Sequence, residues 1–216
     1  MTVPPLKPSP VLLMVLAMLS EHPMHPYEMQ RLVIERGKQS VINIKRGSIY
    51  HAVDRLRSAG MIEELETSRE GKRPERTVYR LTDAGQEEVR DWMRMLLGQV
   101  ATEYTEFATT MSFLPVLEPR EVMLALHQRL VFLDGAIGRQ EAVLRSIGDR
   151  LPRVFLIEEE YQLAMLRAQR DWVAALVVEL EAGRFGWNRA EFAQYAHSPL
   201  MQEFPASGPA TPQEPS

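Results

Sequence analysis

The stretch KRGSIYHAVDRLRSAGMI, Lys45 to Ile62, decides the fold. Ile49, Ala52, Val53 and Leu56 recur at the three- and four-residue spacing of a helix with one buried side. Lys45, Ser48, His51 and Arg55 fall off that side and form an outer face of donors and cations. A helix made only to fill a core has no use for such a face, whereas a helix that enters a groove does. The spacing predicts a helix from about Gly47 to Ala59. Gly60 then suits the left-handed residue that ends a helix, and a strand-like run, MIEELE, begins at once.

Upstream, MTVPPLKPSP holds four prolines in ten residues and reads as an extended arm. Ser9 and Pro10 supply an N-cap and a first helical position. The helix that follows, through VLLMVLAML to about Ser20, is apolar nearly all round and is expected to be buried. A second helix starts at Pro26 and ends near Gly37, with Tyr27, Met29, Leu32 and Val33 as an inward stripe. Downstream, MIEELE, the polar loop REGKRPE and RTVYRL read as a hairpin, although Ile62 and Leu65 are partly out of phase. LTDAGQEEVRDWMRMLL restarts a helix with Thr82 as N-cap.

Three helices followed by a two-stranded ribbon is the winged helix-turn-helix order, in which the third helix faces the DNA major groove. Arg and His can donate to guanine acceptors, and Ser can bond to base or phosphate. Arg69, Lys72, Arg73 and Arg76 cluster in the ribbon loop, which suits phosphate contact or insertion in a narrow minor groove. The candidate DNA-binding residues are therefore Lys45, Ser48, Tyr50, His51, Arg55, Lys72, Arg73 and Arg76.

The chain has 216 residues, 45% of them apolar, which is enough for one well-filled domain or two small ones. The net charge of -4 argues against a nucleic-acid partner, but its distribution does not. From Gln30 to Arg80 twelve Lys and Arg stand against seven Asp and Glu; from Asp91 to Ser216 eleven stand against seventeen. There is no cysteine, which removes disulfides, zinc thiolates and thiol nucleophiles and suits a reducing cytosol. The run Val11 to Leu19 is too short to span a bilayer and lacks the flanks of a signal peptide. A cytoplasmic protein without membrane association is expected.

The second half shows no strand signal. A short helix is expected from about Thr102 to Leu114. Met123, Leu126, Leu130, Leu133, Ile137, Leu144 and Ile147 then keep three- and four-residue spacing, broken by Gln140. After Pro152, Leu156, Leu163, Leu166, Val173, Val177 and Leu180 do the same. Such helices are expected to pack on each other and on a second copy. Met123, Leu126, Leu130, Leu133, Ile137, Leu163, Leu166, Val173 and Val177 are the candidate dimerisation residues. The Pro- and Ser-rich end reads as disordered. The expected plan is a mainly α fold with a small β-hairpin wing. Its parts are an arm (1–9), a winged helix-turn-helix (10–97), a helical dimerisation and effector domain (98–197) and a tail (198–216).

GSIYHAVDRLRSAGMIE, a polar loop and RTVYRLTDAGQEEV together resemble the PadR family of bacterial transcription regulators. The shared features are a Tyr-bearing recognition helix, a Gly-Met-Ile step into the wing and the YRLTDAG joint from strand to helix. LAMLSEHPMHPYEMQRLV is similar to the family's opening helices, with Pro26 where glycine is frequent. The resemblance is strong from Val11 to Leu97 and weaker in the helical half. It implies a homodimeric repressor that binds an inverted-repeat operator and releases it when a small-molecule effector or stress signal arrives. By matching position it places Ser48 and Tyr50 in the recognition helix and Lys72, Arg73 and Arg76 in the wing.

Plainer roles stand beside these. Tyr50 serves equally as a packing aromatic with a wet hydroxyl. Arg55 and Arg57 can simply cover surface, and His51 can be merely solvated. His22 and His25 have metal-like spacing, but Pro23 and the lack of a carboxylate partner speak against a site. Trp92 is expected to link the two halves; Trp172 and Trp187 are read as core or dimer packing; Glu158 to Glu160 read as a solvated face. No phosphate loop, nucleophile elbow, carboxylate pair or metal cluster is visible, so neither an enzyme nor a cofactor is expected. The competing class is a helical interaction protein whose winged helix docks protein. Four cations in eight wing positions favour double-stranded DNA.

Overall fold

In the computed structural model, α1 (Pro10–Glu21) opens under the cap that the sequence predicts, with the Ser9 hydroxyl accepting from the Leu12 amide. Described residues are 6–42, 44, 47–68, 76–100, 105–148 and 150–188. The chain divides into two compact units, Met1–Ala101 and Thr102–Ser216.

In the first unit α1 is the central pillar. Leu12, Met14, Val15, Leu16, Met18 and Leu19 are all buried, as an all-round apolar helix requires. The helix α2 (Pro26–Glu35) starts at Pro26, where the His25 imidazole Nδ1 accepts from the Tyr27 amide at 3.0 Å. His25 is thus a capping residue, and proline fits the first turn because that amide is unpaired in any helix. Arg36 grips Glu21 with two hydrogen bonds of 2.6 and 2.7 Å, joining the ends of α1 and α2. That grip holds the Glu21 carboxyl below its ordinary range. Met29 and Val33 are buried as expected, but Tyr27 is 58% exposed and does not belong to the inward stripe.

The helix α3 (Ser48–Ser58) buries Ile49, Ala52, Val53 and Leu56. Each of the three larger side chains contributes about 1.5–3 kcal/mol relative to exposure. At its end Gly60 takes φ +72°, its amide donating to the Arg57 carbonyl and that of Met61 to the Leu56 carbonyl. This is the paired closure that a left-handed glycine permits. The strands β1 (Ile62–Ser68) and β2 (Arg76–Leu81) pair antiparallel, and Met24 adds a bridge to Tyr79 on the far edge of β2. Glu64 and Glu66 oppose the adjacent residues Tyr79 and Val78, so Leu65 is the extra residue of a bulge. Ile62 is buried and Leu65, at the bulge, is exposed.

The helix α4 (Asp83–Gly98) begins where the Thr82 hydroxyl accepts from the Gly85 amide at 3.1 Å and donates to the Gly60 carbonyl at 2.7 Å. Trp92 is buried with the α1 and α3 side chains in the core of this unit.

In the second unit α5 (Glu106–Met111) is shorter than expected. The helices α6 (Pro119–Ile147) and α7 (Ile157–Glu181) pack on each other. Leu126, Leu133, Val173 and Val177 join Val122 in one buried cluster, with Leu130 and Leu166 against it; Leu163 is buried further along α7. Met123 and Ile137 are half-buried. These side chains close the hairpin within one chain, because each helix finds its partner in the other. Gln140, the polar break in the seam, donates to the Glu159 carboxylate and so is satisfied. Trp187 donates to the Leu117 carbonyl at 2.9 Å, and Trp172 meets Phe107 edge-on. Glu160 pairs with Arg153, and His127 with Glu181. The expected tail lies outside the described residues.

A Cβ on Gly85 would overlap the Met61 carbonyl oxygen, a backbone atom that cannot swing aside. Gly85→Ala is therefore expected to destabilise the protein by about 2 kcal/mol or more, read as a lowered midpoint in urea. An unchanged midpoint would show that the joint between wing and α4 yields freely.

Candidate nucleic-acid interface

The candidate interface is built on α3. Its anchor residues turn Tyr50, His51, Asp54 and Arg55 outward, all exposed, and leave Ser48 half-buried at the first turn. Before it, Gly47 has φ +89°, a backbone state that costs other residues roughly 1–2 kcal/mol. The chain can thus turn sharply into the helix. Among the described residues Arg55 has no carboxylate partner within ion-pair distance, while the neighbouring Arg57 is held by Glu64 of β1 at 2.8 Å. The two arginines, either of which could simply cover surface, are thereby separated. Arg57 ties helix to wing; Arg55 keeps its donors free.

The wing strands carry Glu63, Glu64 and Glu66, an acidic run unsuited to DNA. Arg80 neutralises Glu63 across the ladder at 2.7 Å, and Arg57 neutralises Glu64. The Tyr79 phenol is pushed above its ordinary range, first by burial and then by the Glu64 charge. Arg76 opens β2 at the end nearest the loop. Lys45, Lys72 and Arg73, with Arg69, lie outside the described residues, as does the Arg76 side chain.

Two outward residues escaped the sequence reading. Asp54 shares the exposed face with His51 and can accept from a cytosine amino group. Tyr27 was assigned to the core, yet it stands on the outer face of α2 with Gln30, Arg31 and Ile34, lining a cleft whose other wall carries Gly47 and Tyr50. Of the stripe expected to face inward, Met29 and Val33 are buried, whereas Tyr27 falls on the opposite face.

Among the described residues no helix is long and apolar enough to cross a membrane. Among them, too, no three His, Cys, Asp or Glu side chains are grouped to hold a metal ion.

Residues 15–91 match the family described as the Transcriptional regulator PadR-like family. No curated protein sequence matches the chain. Solved structures do. Bacillus subtilis PadR in complex with operator DNA is similar at TM-score 0.62 and 19% identity, over 79% of this chain and 98% of that one. Bacillus subtilis PadR in complex with p-coumaric acid is similar at TM-score 0.64 and 18% identity, over 79% and 99%. The Vibrio cholerae virulence activator AphA is similar at TM-score 0.58 and 15% identity, over 80% and 98%. At these identities the likeness is one of fold. Among the described residues the fold is mainly helical with one hairpin wing, and residues 15–91 are similar to the PadR-like transcriptional regulators.

Proposed function

We propose that this chain is a sequence-specific DNA-binding regulator that represses from an inverted-repeat operator, bound as a homodimer and released by a small-molecule effector. The observation that carries the reading is the outer face of α3. His51 and Arg55 are exposed beside the wing, and Arg55 has no carboxylate partner among the described residues. The similar PadR fold was solved with operator DNA, and again with p-coumaric acid. Those complexes support a DNA ligand and an effector for this chain as well.

A homodimer supplies two recognition helices to a two-fold operator. Apolar surface for it remains on the outside of the hairpin, beside the half-buried Met123 and Ile137 of the seam. On α6, Val131 is 71% and Phe132 67% exposed; on α7, Tyr161, Met165 and Trp172 are exposed too. An apolar surface of this kind marks an interface. In the first unit Leu13, Met14, Ala17, Met93 and Leu96 line an open groove of about 430 Å³, so α1 adds to the surface a second copy would cover.

Three measurements test this. Replacing Lys72, Arg73 and Arg76 together by Ala is expected to weaken binding to every duplex and to flatten its salt dependence by roughly one unit of slope per lost contact. An unchanged slope would remove the wing from the interface.

Replacing Ser48, His51 or Arg55 by Ala is expected to cost about 1–3 kcal/mol on a duplex selected by the wild-type chain, and less on an unselected one. Equal losses would mean that α3 is positioned on DNA without reading it. A chain that binds neither duplex, yet retains a protein partner through α3, would favour protein docking.

Val131→Asp combined with Phe132→Asp is expected to keep helicity, because both residues are exposed in the single chain, and to weaken dimerisation roughly 100-fold. Leu133→Asp, which buries a charge, is expected to unfold the hairpin. Sedimentation showing the double variant still dimeric at wild-type affinity would move the interface elsewhere.

A further inference from the structure

We infer that a hollow along α7 binds a medium-chain fatty acid whose carboxylate is held by Arg129. The inference takes its regulatory meaning from the effector reading above, on which it rests, and names the effector's class and seat.

Arg129 of α6 is the anchor. Its guanidinium lies 3.7 Å over the Phe107 ring, and Trp172 meets that ring edge-on with centroids 6.3 Å apart. One terminal nitrogen donates to the Gln169 side-chain oxygen at 3.2 Å. The Nε is buried and finds no acceptor among the described residues. Among them, too, no carboxylate lies within ion-pair distance of this guanidinium, whereas Arg167 and Arg170 of α7 are held by Glu141 and Asp134. A half-buried cation without a counter-charge is costly to keep, and an aromatic face returns only part of the lost hydration. An anion completes it through the terminal N–H groups that remain free, by hydrogen bonds strengthened by charge on both partners.

Beside Gln169 opens a hollow of about 490 Å³, lined along α7 by Tyr161, Gln162, Met165, Leu166, Ala168 and Gln169. Apart from the two glutamines this lining is carbon-rich. From Tyr161 to Gln169 the helix climbs eight steps, about 12 Å. An extended chain advances about 1.2 Å per bond, so an acyl chain of about ten carbons runs the length of the hollow with its carboxylate at Arg129. A planar aromatic acid leaves most of that length empty. One cation balances the single charge of a carboxylate, whereas a phosphate monoester brings a second charge without a partner. Tyr161 and Met165 belong to the face proposed above for a second copy. Acyl chain and copy therefore compete for one surface, and binding loosens the dimer that spans a two-fold operator.

The test titrates the full chain by calorimetry with submicellar decanoate, with 1-decanol and with benzoate. The alcohol keeps the chain and lacks the charge; benzoate keeps the charge and lacks the chain. Decanoate is expected to bind about tenfold or more tightly than either. Arg129→Gln is expected to weaken decanoate by about tenfold and to leave 1-decanol as it was, so that the preference for the acid disappears. Arg129→Lys, which restores the charge, is expected to restore the preference. Equal affinity for decanoate and 1-decanol, or for decanoate and benzoate, overturns the inference. So does an Arg129→Gln chain that still prefers the acid, or one that loses acid and alcohol alike. Decanoate that binds as expected but leaves a duplex selected by the wild-type chain in place overturns the effector reading and supports the site. Release of that duplex by another small molecule, with no binding of decanoate, supports the effector reading and overturns the site.

Discussion

The contact on which the N-terminal unit turns is the crossing of Thr82 with the Gly60–Met61 step. The Thr82 amide donates to the Met61 carbonyl at 3.1 Å, and its hydroxyl donates to the Gly60 carbonyl while accepting from the Gly85 amide. The end of α3, the root of the wing and the start of α4 therefore share one set of hydrogen bonds. Each bond is worth only about 1 kcal/mol net, but the joint admits no side chain at Gly85. The angle between α3 and the wing follows from this close approach, because both elements leave from the same point.

Charge is arranged around that joint with equal economy. An acidic strand beside α3 would repel a phosphate there, yet β1 carries its glutamates under the cover of Arg57 and Arg80. Both pairs are half exposed and of small energetic worth. Their effect is on the field: they cancel negative charge locally, and the exposed Arg55 faces outward on α3.

Much of this was legible in the sequence because local rules and global fold agree. Ser9, Pro10, Pro26, Gly60 and Thr82 mark the element ends they were expected to mark, and Ile49, Val53 and Leu56 are the buried side of α3. What escaped has physical reasons. Tyr27 looks apolar to a periodicity argument, although its hydroxyl allows it to face water. The Leu65 bulge shifts the period of β1 by one residue, which no alternation rule anticipates. The heptad seam did not escape: its two helices pack on each other as the spacing implied. Leu126, Leu133, Val173 and Val177 meet in that packing.

The α6–α7 hairpin has no cysteine to fix its alignment. Polar rungs do so: His127 with Glu181, Asp134 with Arg170, Glu141 with Arg167, and Gln140 with Glu159. Arg167, with Arg145, holds the Glu141 carboxyl below its ordinary range. A one-residue insertion in either helix would rotate every later rung by about 100° and turn buried leucines to water. Seven residues added to both helices at the same level would restore rungs and seam alike. Change in the length of this hairpin is therefore open to evolution only in matched steps of seven, about 10 Å at a time.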